Sequence, residues 1–186
     1  LGGRYRLLRP IGRGGMGAVY EAEQLDLARR VAVKVLSGAD QGSVARLRRE
    51  ALTAGGPRSP HVVSVIDFQE PAGEPPFLVM ELLEGEPLHA VIAREGRLEP
   101  ARAVRIACQM LEALAVAHRA GLVHRDVKPA NVWLSRTLGG EVTKLLDFGI
   151  VKHVAAPVPQ TTVGALVGTP AYLSPEQLRG LEADAR

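Results

Sequence analysis

The chain has 186 residues, 46% hydrophobic and 23% charged, and its 23 Lys and Arg against 20 Asp and Glu leave a formal charge of +3. That is enough for one or two small packed units, and it excludes the disordered, fibrous and collagen-like classes. The mild positive balance is spread over Arg-rich helix faces such as Arg46, Arg48 and Arg49, which is no nucleic-acid footprint.

Aromatic residues make up only 4%, so Ala, Val and Leu must fill the core. Cys108 is the only cysteine. It excludes an intrachain disulfide and a Cys-based metal cluster, and it is expected to be a packed core thiol in a reducing, cytoplasmic setting. Apolar runs such as Phe77-Leu78-Val79-Met80 are far short of a membrane span, and the start Leu1-Gly2-Gly3-Arg4 lacks a signal-peptide core. No membrane contact is expected within this segment.

In chain order, Val-, Ile- and Leu-rich stretches punctuated by Gly or Pro predict strands over Tyr5 to Arg9, Ala18 to Ala22, Arg30 to Leu36, Val62 to Phe68 and Phe77 to Glu81. Between the first two, Gly12-Arg13-Gly14-Gly15-Met16-Gly17-Ala18-Val19 has the spacing G-x-G-x-x-G-x-V. Missing side chains there let backbone amides approach phosphate oxygens, although the run alone reads more readily as a glycine-rich hairpin turn. It is not a Walker loop, because no Gly-Lys-Ser or Gly-Lys-Thr ends it and it lies between strands. In Val31-Ala32-Val33-Lys34 the alternation is expected to turn Ala32 toward one face and Lys34 toward the next layer. One helix starts at Ser43, with Val44, Leu47, Ala51 and Ala54 at helical spacing and Gly55-Gly56-Pro57 as its stop. Glu50 lies at the edge of that stripe. An inward carboxylate is costly unless paired, and Lys34 is its natural partner; the alternative for Lys34 is a solvated edge-strand residue.

Beyond Leu83 the pattern changes from strand to helix, which divides the chain into residues 1–83 and 84–186. Pro100 suits a first helical turn, Val104, Ala107, Cys108, Leu111, Leu114 and Ala115 form the expected apolar face, and Gly121 is the stop. Two short strands follow, Val132 to Leu134 and Lys144 to Leu146, and then a long loop from Ile150 to Pro170.

The chemistry concentrates in His124-Arg125-Asp126-Val127-Lys128-Pro129-Ala130-Asn131, followed by Asp147-Phe148-Gly149. Asp126 can accept or orient the proton of an attacking hydroxyl, and Lys128 can neutralise charge on a transferred phosphate. Asn131 and Asp147 offer the amide and carboxylate oxygens that Mg²⁺ prefers beside phosphate and water. His124 reads as a packed loop residue rather than an acid-base group.

These motifs, in this order and closed by Ser174-Pro175-Glu176, resemble the bacterial, eukaryotic-like serine/threonine protein kinases from Ile11 to Glu176. The resemblance implies an α+β, two-lobed fold: an antiparallel-sheet N-lobe with one helix over 1–83, and a mainly helical, incomplete C-lobe over 84–186. It implies ATP as phosphoryl donor, Mg²⁺ with Mn²⁺ as the alternative, and protein substrates with Ser or Thr acceptors. By the same resemblance Gly12, Gly14 and Gly17 cover the phosphates, and Lys34 is aimed at them by Glu50. Ile11, Val19, Ala32 and Trp133 enclose the adenine, Glu81 and Leu83 bind its edge through their backbone, and Met80 is the gatekeeper. Ala54, Val65, His124 and Phe148 map onto the hydrophobic stack of active kinases. Lys128 and Thr169 point to Ser/Thr rather than Tyr acceptors, Arg125 is placed to receive an activation-loop phosphate, and Thr161 and Thr162 are the candidate sites for it. A kinase–kinase dimer is the expected vehicle of autophosphorylation.

Ser174 stands where the family has alanine, a small change. The family continues past the equivalent of Arg186 through further helices, including an arginine that pairs with the equivalent of Glu176, so this segment alone is expected to leave that acid uncompensated and to be poorly stable. Two other classes share parts of this pattern. A nucleotide-binding pseudokinase scaffold would be expected to lack Lys34, Asp126 or Asp147, all of which are present; a small-molecule phosphotransferase would lack the Thr169 and Ser174-Pro175-Glu176 segment.

Overall fold

A computed structural model describes residues 1–14, 17–36, 42–45, 47–48, 51, 59–146, 152–153, 170–179, 181 and 184. The chain divides into two compact units, Leu1–Gly56 with Val63–Glu84, and Pro57–Val62 with Gly85–Arg186.

The first unit is built on five antiparallel strands: β1 (Tyr5–Gly14), β2 (Gly17–Gln24), β3 (Arg29–Leu36), β4 (Val65–Gln69) and β5 (Phe77–Glu81), in the order β1-β2-β3-β5-β4. Pro10 is tolerated in β1 because this is an edge strand whose register shifts on either side of it. Strand alternation gives the sheet two apolar faces. On one, Tyr5, Ala22, Val31, Val33, Phe77 and Val79 are buried together, with Tyr5 and Phe77 edge-to-face at 5.8 Å. On the other, Leu36 and Leu78 pack with Leu47, Val44 and Ala51, so the helical residues 42–45, 47–48 and 51 lie on this side. Each buried aliphatic side chain contributes about 1.5–3 kcal/mol. Arg48 reaches Glu70 with Nη2 at 2.7 Å from Oε2, a half-exposed tie between that helical segment and the end of β4.

In the second unit, β6 (Gly85–Pro87), β8 (Val132–Thr137) and β9 (Gly140–Leu145) form a sheet in the order β6-β8-β9, and β7 (Leu122–Val123) pairs with β10 (Lys152–His153). Helices α1 (Leu88–Glu95), α2 (Pro100–Arg119) and α3 (Pro175–Leu178) and one-turn 3-10 helices at Pro129–Asn131 and Pro170–Tyr172 complete the regular elements described. The core gathers Val62, Leu88, Val91, Ile106, Ala113, Ala117, Leu122, Val132, Leu134 and Leu145. Val62 makes a parallel bridge to Leu145, and His61 accepts the Leu145 N–H at 2.8 Å. Gly85 opens this unit with φ +123°, where a Cβ would come 2.0 Å from the Leu134 carbonyl oxygen, so only glycine admits that approach.

The α+β expectation holds, and several local expectations are corrected. Val62 lies outside β4, bonded into the second unit. Ala32 and Lys34, two residues apart, share one sheet face instead of dividing between two. Strands β8 and β9 run out to a tight turn at Leu138-Gly139, well past the expected ends. Helix α2 buries Ile106, Ala113 and Ala117, whereas Val104 and Leu111 stand 63% and 64% exposed and Cys108 is exposed rather than packed. Of the expected stripe only Leu114 packs against the core; the helix is apolar on more than one side, so periodicity alone misplaced the rest.

Candidate active site

In the first unit, β1 and β2 close to a Gly14↔Gly17 pair around residues 15–16, which lie outside the described residues. Gly17, at φ +155°, passes so near β3 that a Cβ would sit 2.0 Å from the Val35 carbonyl oxygen. A side chain cannot enter without displacing the backbone, so this glycine is required by packing before any ligand is considered. Gly12 has ordinary space, its nearest contact being Val19 Cβ at 3.8 Å. Next in the sheet, Val19 pairs with Lys34, Lys34 with Leu78, and Ala32 with Met80. These residues therefore share the face on which the helical residues pack. Lys34 is 9% exposed and engaged, on a middle strand rather than an edge. Its expected partner Glu50 lies outside the described residues.

Of the expected adenine contacts in this unit, Ala32 is buried, Val19 and Met80 are half-buried, and Ile11 is exposed on β1. Glu81 donates its N–H to the Ser64 carbonyl at 3.0 Å, and its Oε1 accepts the Ser64 N–H at 2.7 Å. Leu83 is half-buried in the link that follows.

In the second unit the residues from His124 to Asn131 are held together by a dense set of short bonds. Lys128 Nζ lies 2.7 Å from Asp126 Oδ2. Asn131, 7% exposed at the end of the one-turn 3-10 helix Pro129–Asn131, donates Nδ2–H to the Asp126 carbonyl at 2.8 Å and to Asp126 Oδ2 at 2.9 Å. Both amide hydrogens are thereby used, which identifies Nδ2 and leaves Oδ1 as the acceptor end. A hard divalent cation needs an oxygen donor of this kind.

His124 is 1% exposed and bridges two segments. Its Nδ1 accepts the Asp126 N–H at 3.3 Å and its Nε2 donates to the Leu146 carbonyl at 2.8 Å, an assignment that follows from one partner being an N–H and the other a C=O. The Leu146 N–H in turn donates to the Asn131 carbonyl at 2.9 Å. Leu146 is thus bonded to the His124–Asn131 segment at both of its backbone polar groups, one residue before Asp147. Asp147 and Phe148 lie outside the described residues, as do Ala54, Thr161, Thr162 and Thr169.

Arg125 adopts φ +66°, in the left-handed region that a side chain enters only when its surroundings require it. Trp133 is half-buried on β8, and its indole Nε1 is buried with no hydrogen-bond partner among the described residues. Glu176 is engaged among the described residues. Among the described residues there is no group of three or more His, Cys, Asp or Glu that could hold a metal ion, and no helix long and apolar enough to cross a membrane. Sequence reasoning overlooked Gln177, whose side chain joins α3 to the Arg125 carbonyl. The Ser-x-x-Gln spacing of a capping box at Ser174 was the available signal.

The geometry is matched by relatedness. The protein kinase domain family matches residues 5–186. The chain is 46% identical over 193 residues to the serine/threonine-protein kinase pkn2 of Myxococcus xanthus, covering all of this chain and 23% of that protein. It is 48% identical over 191 residues to the serine/threonine-protein kinase PknA of Mycobacterium tuberculosis, covering 98% of this chain and 43% of that protein. To the serine/threonine-protein kinase PknB of the same species it is 42% identical over 193 residues, covering 30% of that protein. The chain thus spans less than half the length of each of these relatives. With the Asp126–Lys128–Asn131 cluster formed and the family matched almost from end to end, this chain belongs to the protein kinase family.

Proposed function

We propose that the protein transfers the γ-phosphoryl group of ATP to Ser or Thr hydroxyls of proteins. The observation that carries this reading is the convergence of Lys128 Nζ and Asn131 Nδ2 on Asp126 Oδ2. That arrangement neutralises one oxygen of the carboxylate and points to Oδ1 as the atom that meets the acceptor hydroxyl. Asp126 orients the hydroxyl and takes up its proton, and Lys128 steadies charge on the phosphoryl group in flight. Lys34, with Glu50 as its proposed partner, holds the nucleotide's phosphates, with Gly12, Gly14 and Gly17 supplying backbone amides. Ile11, Val19, Ala32 and Met80 contact the adenine, and Glu81 and Leu83 offer backbone groups to its edge.

The oxygen end of Asn131 suits a divalent cation, and Asn131 with Asp147 would hold Mg²⁺, or Mn²⁺ in its place. When bound, the metal supplies charge neutralisation to the phosphates. Thr169 aligns the acceptor segment, which marks the acceptor as Ser or Thr. Phosphate on Thr161 or Thr162 is received by Arg125 through charge-assisted bonds, and a second copy of the chain serves as the first substrate. The need for ATP places this reaction in the cytoplasm.

The test is transfer of labelled phosphate from ATP to a generic protein substrate by a purified protein containing the whole chain, with Mg²⁺ present or chelated. Lys34→Met and Asp126→Asn are each expected to lower kcat at least about 100-fold. Mass spectrometry of the wild type should find phosphate at Thr161 or Thr162. Equal labelling in every sample, or tight nucleotide binding with no transfer, would replace this reading with that of a nucleotide-binding scaffold.

A further inference from the structure

Gln177 does more than cap its own helix. Its Oε1 accepts the Ser174 backbone N–H at 3.2 Å, while its Nε2 donates to the carbonyl of Arg125, 52 residues away, at 2.9 Å. A capping box needs only an acceptor at this position. The amide's donor end is surplus to that task, and it is spent on the catalytic loop. Because one partner is an N–H and the other a C=O, a single amide orientation satisfies both.

The peptide unit that receives this bond joins Arg125 to Asp126. Its carbonyl is held by Gln177, and its N–H is held by His124 Nδ1 at 3.3 Å. A peptide unit is planar, so holding both polar atoms sets its rotation and with it the direction in which the Asp126 side chain leaves the backbone. The restraint acts where the chain is least content to stay, since Arg125 sits at φ +66°. A left-handed residue without glycine's freedom relaxes unless its neighbours oppose it.

We infer that Gln177 is a positioning residue for Asp126, coupling the segment 170–179 to the orientation of the catalytic carboxylate. The inference rests on the kinase reading, in which Asp126 meets the acceptor hydroxyl. Docking of α3 then does two things at once: it ends the segment that precedes it, and it completes the hold on the Arg125–Asp126 peptide.

Two substitutions separate positioning from capping. Gln177→Glu keeps the side-chain length and the acceptor for Ser174, but turns a carboxylate oxygen toward the Arg125 carbonyl. Gln177→Met keeps the length and removes both functions. In a purified protein containing the whole chain, Gln177→Glu is expected to lower kcat for a peptide substrate about tenfold, the scale of one lost hydrogen bond. KM for ATP should stay within about twofold, and any fall in melting temperature should be smaller than in Gln177→Met, because the Ser174 acceptor is kept. Gln177→Met should lower both kcat and melting temperature. Hydrogen exchange read by mass spectrometry on the peptide spanning 124–131 gives a second measurement that needs no activity. Exchange there should accelerate about tenfold in Gln177→Glu, the rest of the chain staying unchanged. Wild-type kcat together with wild-type exchange in Gln177→Glu would overturn the inference, as would a loss of kcat that only tracks a lowered melting temperature. A wild-type protein that transfers no phosphate would overturn the kinase reading instead, while the exchange experiment would still decide whether Gln177 holds the loop.

Discussion

Asn131 gives both of its amide hydrogens to Asp126, at 2.8 Å to the carbonyl and 2.9 Å to Oδ2. Removing that donor is worse than deleting a contact, because at 7% exposure no water replaces it. Asn131→Asp is the sharpest case, since shape is kept while an oxygen is set against two oxygens. We expect it to cost about 1–3 kcal/mol of stability at neutral pH, read from the denaturant midpoint, quite apart from any effect on metal binding. An unchanged midpoint would mean that the amide is not oriented as described. At this scale the sequence was informative about identity and silent about connection. Asp126, Lys128 and Asn131 were legible as chemical types, because few other loops combine them. That Asn131 spends its nitrogen on Asp126, or that His124 ties Asp126 to Leu146, depends on loop backbone geometry that no spacing rule encodes.

Helix α2 shows the same division among elements. Its start was legible from Pro100, but the residue that caps it is Glu99, a type the usual capping preferences do not favour. Glu99 accepts the Ala101 N–H at 3.0 Å through Oε1 and the Arg102 N–H at 2.8 Å through Oε2. Those backbone bonds, Ala101's first, hold its carboxyl below the usual range. A folded value below the unfolded one means that the stabilisation is present above the unfolded pKa and is lost as pH falls through the folded value. Glu99→Gln, which keeps an acceptor but no charge, should therefore melt below wild type at neutral pH. The gap should close as pH falls below about 4, the ordinary carboxylate range. A gap that stays constant across that range would show that the charge plays no part. Strand β6 and helix α1 were not legible at all: the first has three residues, and the second buries only Leu88 and Val91, too little for either period to register.

For the whole molecule, legibility follows how each unit is built. The first unit has a five-stranded sheet with apolar residues on both faces, and its alternating strands announced themselves. The second gathers one core from helices, short strands and the segment around Val62, and there helical periodicity misplaced the buried stripe of α2. That misplacement has a measurable consequence. Val104, Ala107, Cys108, Leu111 and Ala115 form an apolar stripe open to solvent in this chain, while Ile106, Ala113 and Ala117 hold the core. An exposed stripe of this kind promotes self-association. Val104→Lys with Leu111→Lys, introduced into the 186-residue chain, should leave stability within about 0.5 kcal/mol, because neither side chain is buried. The same pair should reduce apolar-dye binding and self-association in sedimentation. Ile106→Lys should behave oppositely and abolish cooperative melting, since an unpaired ammonium would be forced into the core. If instead the double variant unfolds and Ile106→Lys is tolerated, the helix is rotated from the orientation described, and the stripe first read from its periodicity is the buried one.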